Sequence, residues 1–259
     1  MSTRMLRASF AAIGMMGFAA FASQAADTAA AASRAEKDLV AALGNASRPQ
    51  ADRDRDANRK PAQLMQFLGV KPGMKVMDVI AAGGYMTEVL ALAVGPEGKV
   101  YSQNPPVMLN PEGRYLKQVE ARHAGGRLPN VVRVDADLPA STTVPPGSVD
   151  VAITALNFHD VYSRGPALAQ TFLKGVYTTL KPGGVFGIVD HVGVEGADNA
   201  QLHRVPKQVA VDAAKAAGFT VEAESNLLAN PQDDHTKGVF DPALRGKTDQ
   251  FVLKLRKPK

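Results

Sequence analysis

The sequence predicts an α/β fold with a doubly wound, mostly parallel seven-stranded sheet whose last strand is antiparallel. Three observations carry this. Short β-rich runs alternate with helical patterns, as parallel strands joined by crossover helices require. Glycine turns punctuate the alternation at Gly83-Gly84, Gly95-Pro-Glu-Gly98 and Lys181-Pro-Gly-Gly184. The last two strand-like runs have no helix between them, so the final one must return antiparallel.

Residues 1–25 stand apart from the fold. Arg4 and Arg7 precede an apolar stretch from Ala8 to Ala22, and Ser23-Gln24-Ala25 supplies small residues for cleavage. This layout predicts a signal peptide cut near Ala25 and a secreted or periplasmic protein. An uncleaved anchor is the alternative; after cleavage no stable membrane insertion is expected. Residues 26–66 read as a linker with helices, and 67–259 as the sheet domain.

The linker is Ala-rich over 26–33. Ser33-Arg-Ala-Glu36 has capping-box spacing, so a helix is expected from Arg34 to about Leu43. Asn45–Ala51 reads as a loop, and the sign-alternating Asp52–Asp56 run as a solvated helix face or linker. A second helix includes Pro61 to Phe67, with Leu64, Met65 and Leu68 inward.

The alternation then begins. Strands are expected at Lys75–Ile80, Lys99–Gln103, Val131–Val134, Val149–Ala155, Val185–Val189, Phe219–Leu228 and Gln250–Leu255. Helices are expected from Gly84 to Val94, from Asn110-Pro111 to His123, from Pro166 to Leu180 with Leu168, Phe172 and Val176 aligned, and from Arg204 to Ala217. A long loop from Ala229 to Asp249 leads into the final strand.

Composition removes several functions. The 259-residue chain has no Cys, which excludes disulfides, thiolate metal sites and cysteine nucleophiles. Aromatics are 6% with no Trp, and the net charge of +5 is scattered, so no nucleic-acid partner is expected.

Ligands of open α/β sheets bind beyond the carboxyl ends of the strands. That edge should gather Ile80–Gly84, Asn157-Phe-His-Asp160, Asp190-His191 and the loop holding Asp233-Asp-His-Thr-Lys237 and Arg245. Three of five histidines, His159, His191 and His235, fall there. His203 is read as starting a helix and His123 as ending one. No His-x-x-x-His spacing marks a metal site, and none is expected.

The order Val76-Met-Asp78, Gly83-Gly84-Tyr85, Gly95–Tyr101, Asp135-Ala136, Leu180-Lys-Pro-Gly-Gly184 and Ala217-Gly-Phe219 resembles class I S-adenosylmethionine-dependent methyltransferases. Asp233–Lys237 and Arg245–Gln250 are similar to a group of secreted predicted methyltransferases of unknown substrate. The likeness covers roughly 55–259. It implies a Rossmann-like methyltransferase domain, S-adenosyl-L-methionine as cofactor and a small-molecule acceptor. It further implies cofactor contacts at Asp78, Ile80, Ala82, Gly83, Gly84 and Asn157, at Gln103 and Asn104 for the ribose, and at Asp135 for adenine. Catalytic roles fall to His159, Asp160 and His191, and an acceptor-side loop to Asp233, Asp234, His235 and Arg245. The chain departs from the family pattern twice. Ile80 and Ala82 stand where the pattern has glycine, and Gln103-Asn104 where it has an acid. A secreted, non-catalytic small-ligand-binding protein with the same fold therefore stays open as a reading. So does a hydrolase or metal enzyme built from His159, His191 and His235.

Overall fold

The computed structural model describes residues 34–259. The expected signal peptide and the Ala-rich stretch lie outside the described residues. Helix α1 covers 34–43. It is followed by α2 (Gln50–Arg59), α3 (Pro61–Leu68), β1 (Lys75–Val79), α4 (Tyr85–Val94), β2 (Lys99–Asn104), α5 (Arg114–His123) and β3 (Val131–Asp135). The second half is β4 (Val149–Ala155), α6 (Phe158–Ser163), α7 (Pro166–Thr179), β5 (Leu180–His191), α8 (Asn199–Leu202), α9 (Lys207–Ala216), β6 (Thr220–Ser225) and β7 (Gln250–Arg256).

The seven strands form one sheet in the order β3-β2-β1-β4-β5-β7-β6. The pairs from β3 to β5 are parallel, and β7 is antiparallel to both β5 and β6. The chain winds outward from β1 to β3, then crosses back to lay β4 beside β1. That reversal is the switch point at which such sheets bind ligands. Strand β1 reads as a buried run: only Lys75 of its five residues is exposed. A strand covered by helices on both faces needs this pattern.

Two apolar layers hold the sheet. One joins Met77, Val79, Phe158, Leu173, Phe186 and Leu253. The other joins Leu64, Met65 and Leu68 of α3 with Val76, Leu90, Ile153 and Val185. Burying a side chain of this kind contributes roughly 1.5–3 kcal/mol. Helix α3 starts at Pro61, where a missing N–H costs nothing, and stops at Gly69 in the left-handed conformation. It lies so close to the sheet that a Cβ on Gly187 would meet Leu68 Cδ1 at 2.8 Å. Helix α3 runs across the boundary expected at residue 66 and belongs to the same core.

Several expected elements move. Helix α2 begins at Gln50, inside the expected loop; Asp54 and Arg55 are exposed as expected, but Asp52 turns inward. Asp52 is buried and paired with Arg122 at 2.7 Å. Arg122 also pairs with Glu88 and donates from Nε to the Gly83 carbonyl at 2.7 Å. Buried opposite charges, absent from the local pattern, turn this face inward. Helix α5 starts at Arg114 rather than at Pro111. The Asn110 side chain accepts from Glu112 N–H and its carbonyl from Gly113 N–H, which spends it on a turn. Leu168 points outward at 43% exposure, because the buried stripe of α7 runs through Ala169, Leu173 and Val176. Helix α9 starts at Lys207 rather than Arg204. Pro206 lacks the N–H to continue a helix through it, and Arg204 is buried in an ion pair.

Candidate functional site

The carboxyl end of β1 bends sharply into α4. Ile80 and Ala82 have positive φ of 56° and 50°, and Gly84 follows at 79°. A left-handed backbone costs non-glycine residues roughly 1–2 kcal/mol. The two positions where the family pattern has glycine thus keep the conformation that glycine would relax.

Gln103 and Asn104 hold this turn in place. Ile80 N–H donates to Gln103 Oε1 at 3.1 Å, and Ala82 N–H to Asn104 Oδ1 at 2.8 Å. In return Asn104 Nδ2 donates to the Ala82 carbonyl at 3.2 Å, and Gln103 Nε2 to the Ala136 carbonyl at 2.7 Å. Both amides are about fully buried, and each gives one donor and one acceptor to the protein. In this arrangement they brace the strained turn. Asp135, at the end of β3, is more exposed and pairs with Arg133 at 2.7 Å.

Beneath the turn, Asp78 is buried and accepts from Thr87 Oγ1 at 2.6 Å. Burial raises its carboxyl to about 6, outweighing the hydrogen bonds from Thr87. Gly83 meets α5: a Cβ there would lie 2.2 Å from Gln118 Oε1. A larger residue at Gly83 would have to push aside the exposed Gln118 side chain.

Sequence reasoning missed Arg59, at the last position of α2. Its guanidinium lies 4.5 Å from the centre of the Tyr85 ring. Neighbouring Arg48 and Arg55 are paired with Asp56 and Asp52, but Arg59 makes no ion pair among the described residues. Burial lowers its pKa, and the Arg55 charge adds to this. The charge of Arg59 is felt by both Asp78 and His191. The one available signal was its place just before a proline-opened helix, which says nothing of direction.

The β4–β5 half carries the histidines. Phe158 is buried against Tyr162 and Phe172, with ring centroids 6.3 Å apart in each pair, and this seats the start of α6. His159 N–H donates to Asp190 Oδ2 at 2.8 Å, and its Nδ1 meets Asp190 Oδ1 at 2.7 Å. In the neutral ring this contact places the proton on Nδ1 and leaves the electron pair on Nε2. Burial alone would lower the His159 pKa, but the Asp190 hydrogen bond and the charges of Asp190 and Asp160 raise it.

Asp160 Oδ1 lies 3.4 Å from His159 Nε2 and 3.0 Å from His203 Nδ1. The His191 ring centre is 5.5 Å from that of His159, and its Nδ1 meets Thr248 Oγ1 at 2.7 Å. Burial pushes His191 down to about 4, so it is neutral at ordinary pH. His203 does not open a helix. It closes α8 with φ of 54°, and its ring stands edge-on to His159 at 5.6 Å. Asn157 joins the halves: its Nδ2 donates to the Ile80 carbonyl at 3.1 Å.

The 229–249 loop reaches this edge, where Asp249 accepts from Val192 N–H, but its expected residues divide. Asp233 is buried on Arg204, with bonds of 2.9 and 3.0 Å, and also accepts from the N–H groups of His235 and Asp249. It staples the loop to Arg204. His235 Nε2 meets Asp249 Oδ2 at 3.0 Å, so its ring is tied within the loop. Asp234 caps Thr236, and Arg245 is exposed on a turn.

Comparisons with known proteins agree with the fold. The family model for protein-L-isoaspartate(D-aspartate) O-methyltransferase matches residues 50–123, the stretch from α2 through α5. An uncharacterized methyltransferase of Synechocystis sp. is 26% identical over 130 residues. That match spans 49% of this chain and 51% of the relative, about half of each. A SAM-dependent methyltransferase from Aquifex aeolicus superposes with a TM-score of 0.54 at 20% identity, over 76% of this chain and 89% of that one. A methyltransferase-like structure from Bacillus halodurans, described as a putative methyltransferase, gives 0.52 at 19%, over 78% and 100%.

Proposed function

We propose that this chain is a class I S-adenosylmethionine-dependent methyltransferase that transfers a methyl group to a small-molecule acceptor, a reading supported by its likeness to such enzymes. The observation that carries the reading is the division of one sheet edge into two unlike halves. The β1 half offers a bent backbone with a buried acid below and an unpaired guanidinium above. The β4–β5 half offers an imidazole held by a buried carboxylate.

The residues of the first half fit the amino-acid end of the cofactor. Arg59 would hold its carboxylate, and Asp78 its ammonium through water, each a charge-assisted contact. The ribose has no charged partner in Gln103 or Asn104, whose amides brace the turn. When bound, S-adenosylmethionine would supply a methyl group already activated on a sulfonium, open to in-line displacement by the acceptor with sulfur as the leaving group. The protein then has little to do beyond alignment and handling of the acceptor's proton. His159 faces that task, because Asp190 fixes its ring and leaves Nε2 toward Asp160.

The test is calorimetric titration with S-adenosylmethionine and S-adenosylhomocysteine. Micromolar binding that weakens in Asp78→Ala supports the reading. No binding at millimolar ligand overturns it. The commitment of Gln103 and Asn104 favours one second reading, a binding protein without turnover. It predicts an acceptor-like ligand that binds while labelled methyl groups never leave the cofactor. We also place the protein outside the cytoplasm, on residues 1–25; mass spectrometry of the exported protein would find Ala26 at its start.

A further inference from the structure

We propose that His159, Asp160 and His203 form a binding site for one divalent transition-metal cation on the acceptor side of the edge. Each of the three residues offers one ligand atom, a ring nitrogen or a carboxylate oxygen, and the three atoms lie within 4.8 Å of one another. Asp160 Oδ1 is 3.4 Å from His159 Nε2 and 3.0 Å from His203 Nδ1. Ligands about 2.1 Å from a tetrahedral ion lie about 3.4 Å apart, so the trio needs only small side-chain adjustments to close on one.

Two further features set this cluster apart from a chance meeting of polar side chains. Buried Asp190 holds His159 Nδ1 at 2.7 Å and directs Nε2 to the cluster. A carboxylate behind a histidine is the usual outer support of a metal ligand, fixing its tautomer and strengthening it as a donor. His203 reaches the cluster from a left-handed residue at the end of α8, with Phe240 packed on its ring at 4.9 Å. That backbone conformation is costly for a residue with a Cβ, and here it delivers an imidazole to Asp160.

Two imidazoles and one carboxylate suit zinc, cobalt, iron or manganese better than calcium or magnesium. Three protein ligands leave at least one position open, the arrangement of a reactive rather than a purely structural ion. Asp160 and His203 are both partly exposed, so an ion and its fourth ligand can enter. The location of the site on the acceptor side rests on the methyl-transfer reading; the cation site itself rests on the geometry above. Joined, they name the acceptor class. With the ion bound, His159 Nε2 is a ligand and no longer the base; a small oxygen acceptor would bind through its oxygen to the open position and lose its proton to water more readily there.

The experiment uses chelator-treated full-length mature protein, titrated with Co²⁺ and followed by visible absorption, and with Zn²⁺ followed by calorimetry. One ion per chain with micromolar affinity is expected. His203→Ala and Asp160→Asn should each weaken binding at least tenfold with an unchanged circular dichroism spectrum. His123→Gln, on α5, should leave it unchanged. No binding at 1 mM Co²⁺, or binding equally strong in both cluster variants, overturns the site. A parallel titration with S-adenosylmethionine separates the two readings. Cation binding without cofactor binding sinks the methyl transfer and leaves the site standing; the reverse sinks the site alone.

Discussion

Asp190 holds His159 at two points, accepting its backbone N–H at 2.8 Å and meeting its ring Nδ1 at 2.7 Å. One fully buried carboxylate at the end of β5 thus sets both where α6 begins and which ring nitrogen faces outward. The helix start and the imidazole orientation are a single interaction.

Asp190→Asn should therefore separate geometry from chemistry. An amide can accept the backbone N–H, so the fold should persist. It no longer compels Nδ1 to carry the proton. Losing an outer support of this kind costs about 10–100-fold in activity or metal affinity. We expect a fall of that size in kcat, with S-adenosylmethionine affinity within a few-fold, measured by labelled-methyl turnover and calorimetry side by side. An equal loss in both would make Asp190 a general scaffold residue.

Arg59→Gln should do the opposite. Arg59 has no ion pair among the described residues and stands on Tyr85 at 4.5 Å. A hydrogen bond to a charged group contributes about 1.5–3 kcal/mol, which is about 10–150-fold in affinity. Cofactor binding should weaken by that factor while turnover at saturating cofactor changes little. Arg59→Lys should recover part of the loss, because the charge returns but the fork does not. Unchanged affinity in Arg59→Gln would remove Arg59 from the site.

Most of the frame was legible in the sequence because hydrophobic runs and glycine turns are local signals. Strand β4 and the inward residues of α3 follow from pattern alone. The failures share one cause. Asp52, Arg204 and Asp233 are charged, and a charge reads as surface until its partner is known; the partners Arg122 and Asp233 lie 70 and 29 residues away. His203 was misread for the same reason, since its link to Asp160 spans 43 residues. For Gln103 and Asn104, the residues were found but their bonds to the turn were not. An amide at a strand end looks the same whether it faces a ligand or braces a neighbouring turn.

The buried charge network predicts a large stability effect. Arg122 joins Asp52 of α2, Glu88 of α4 and the Gly83 carbonyl. Arg122→Met would fill similar space and leave two buried carboxylates short of a partner. Removing one member of a buried pair costs roughly 3–5 kcal/mol. Urea unfolding should show a loss of that size, and Arg127→Met, which among the described residues breaks an ion pair with Glu88 only, a smaller one. A loss under 1 kcal/mol in Arg122→Met would mean that water already reaches the network.

Asp78 makes cofactor binding depend on pH in a fixed direction. Burial raises its carboxyl from 3.8 to about 6 in the free protein, so it carries a proton below that pH and a charge above it. A bound ammonium favours the charged form and lowers the pKa of the complex. Between the two values, binding must expel a proton. Affinity should then fall as pH drops below about 6, by at most tenfold per unit, and lose this dependence above pH 7. In Asp78→Asn the slope should vanish, because no proton is left to expel. Calorimetry at pH 5, 6 and 7 in two buffers of different ionisation enthalpy counts the protons directly. The same slope in Asp78→Asn would assign the titration to another group and detach Asp78 from the ammonium.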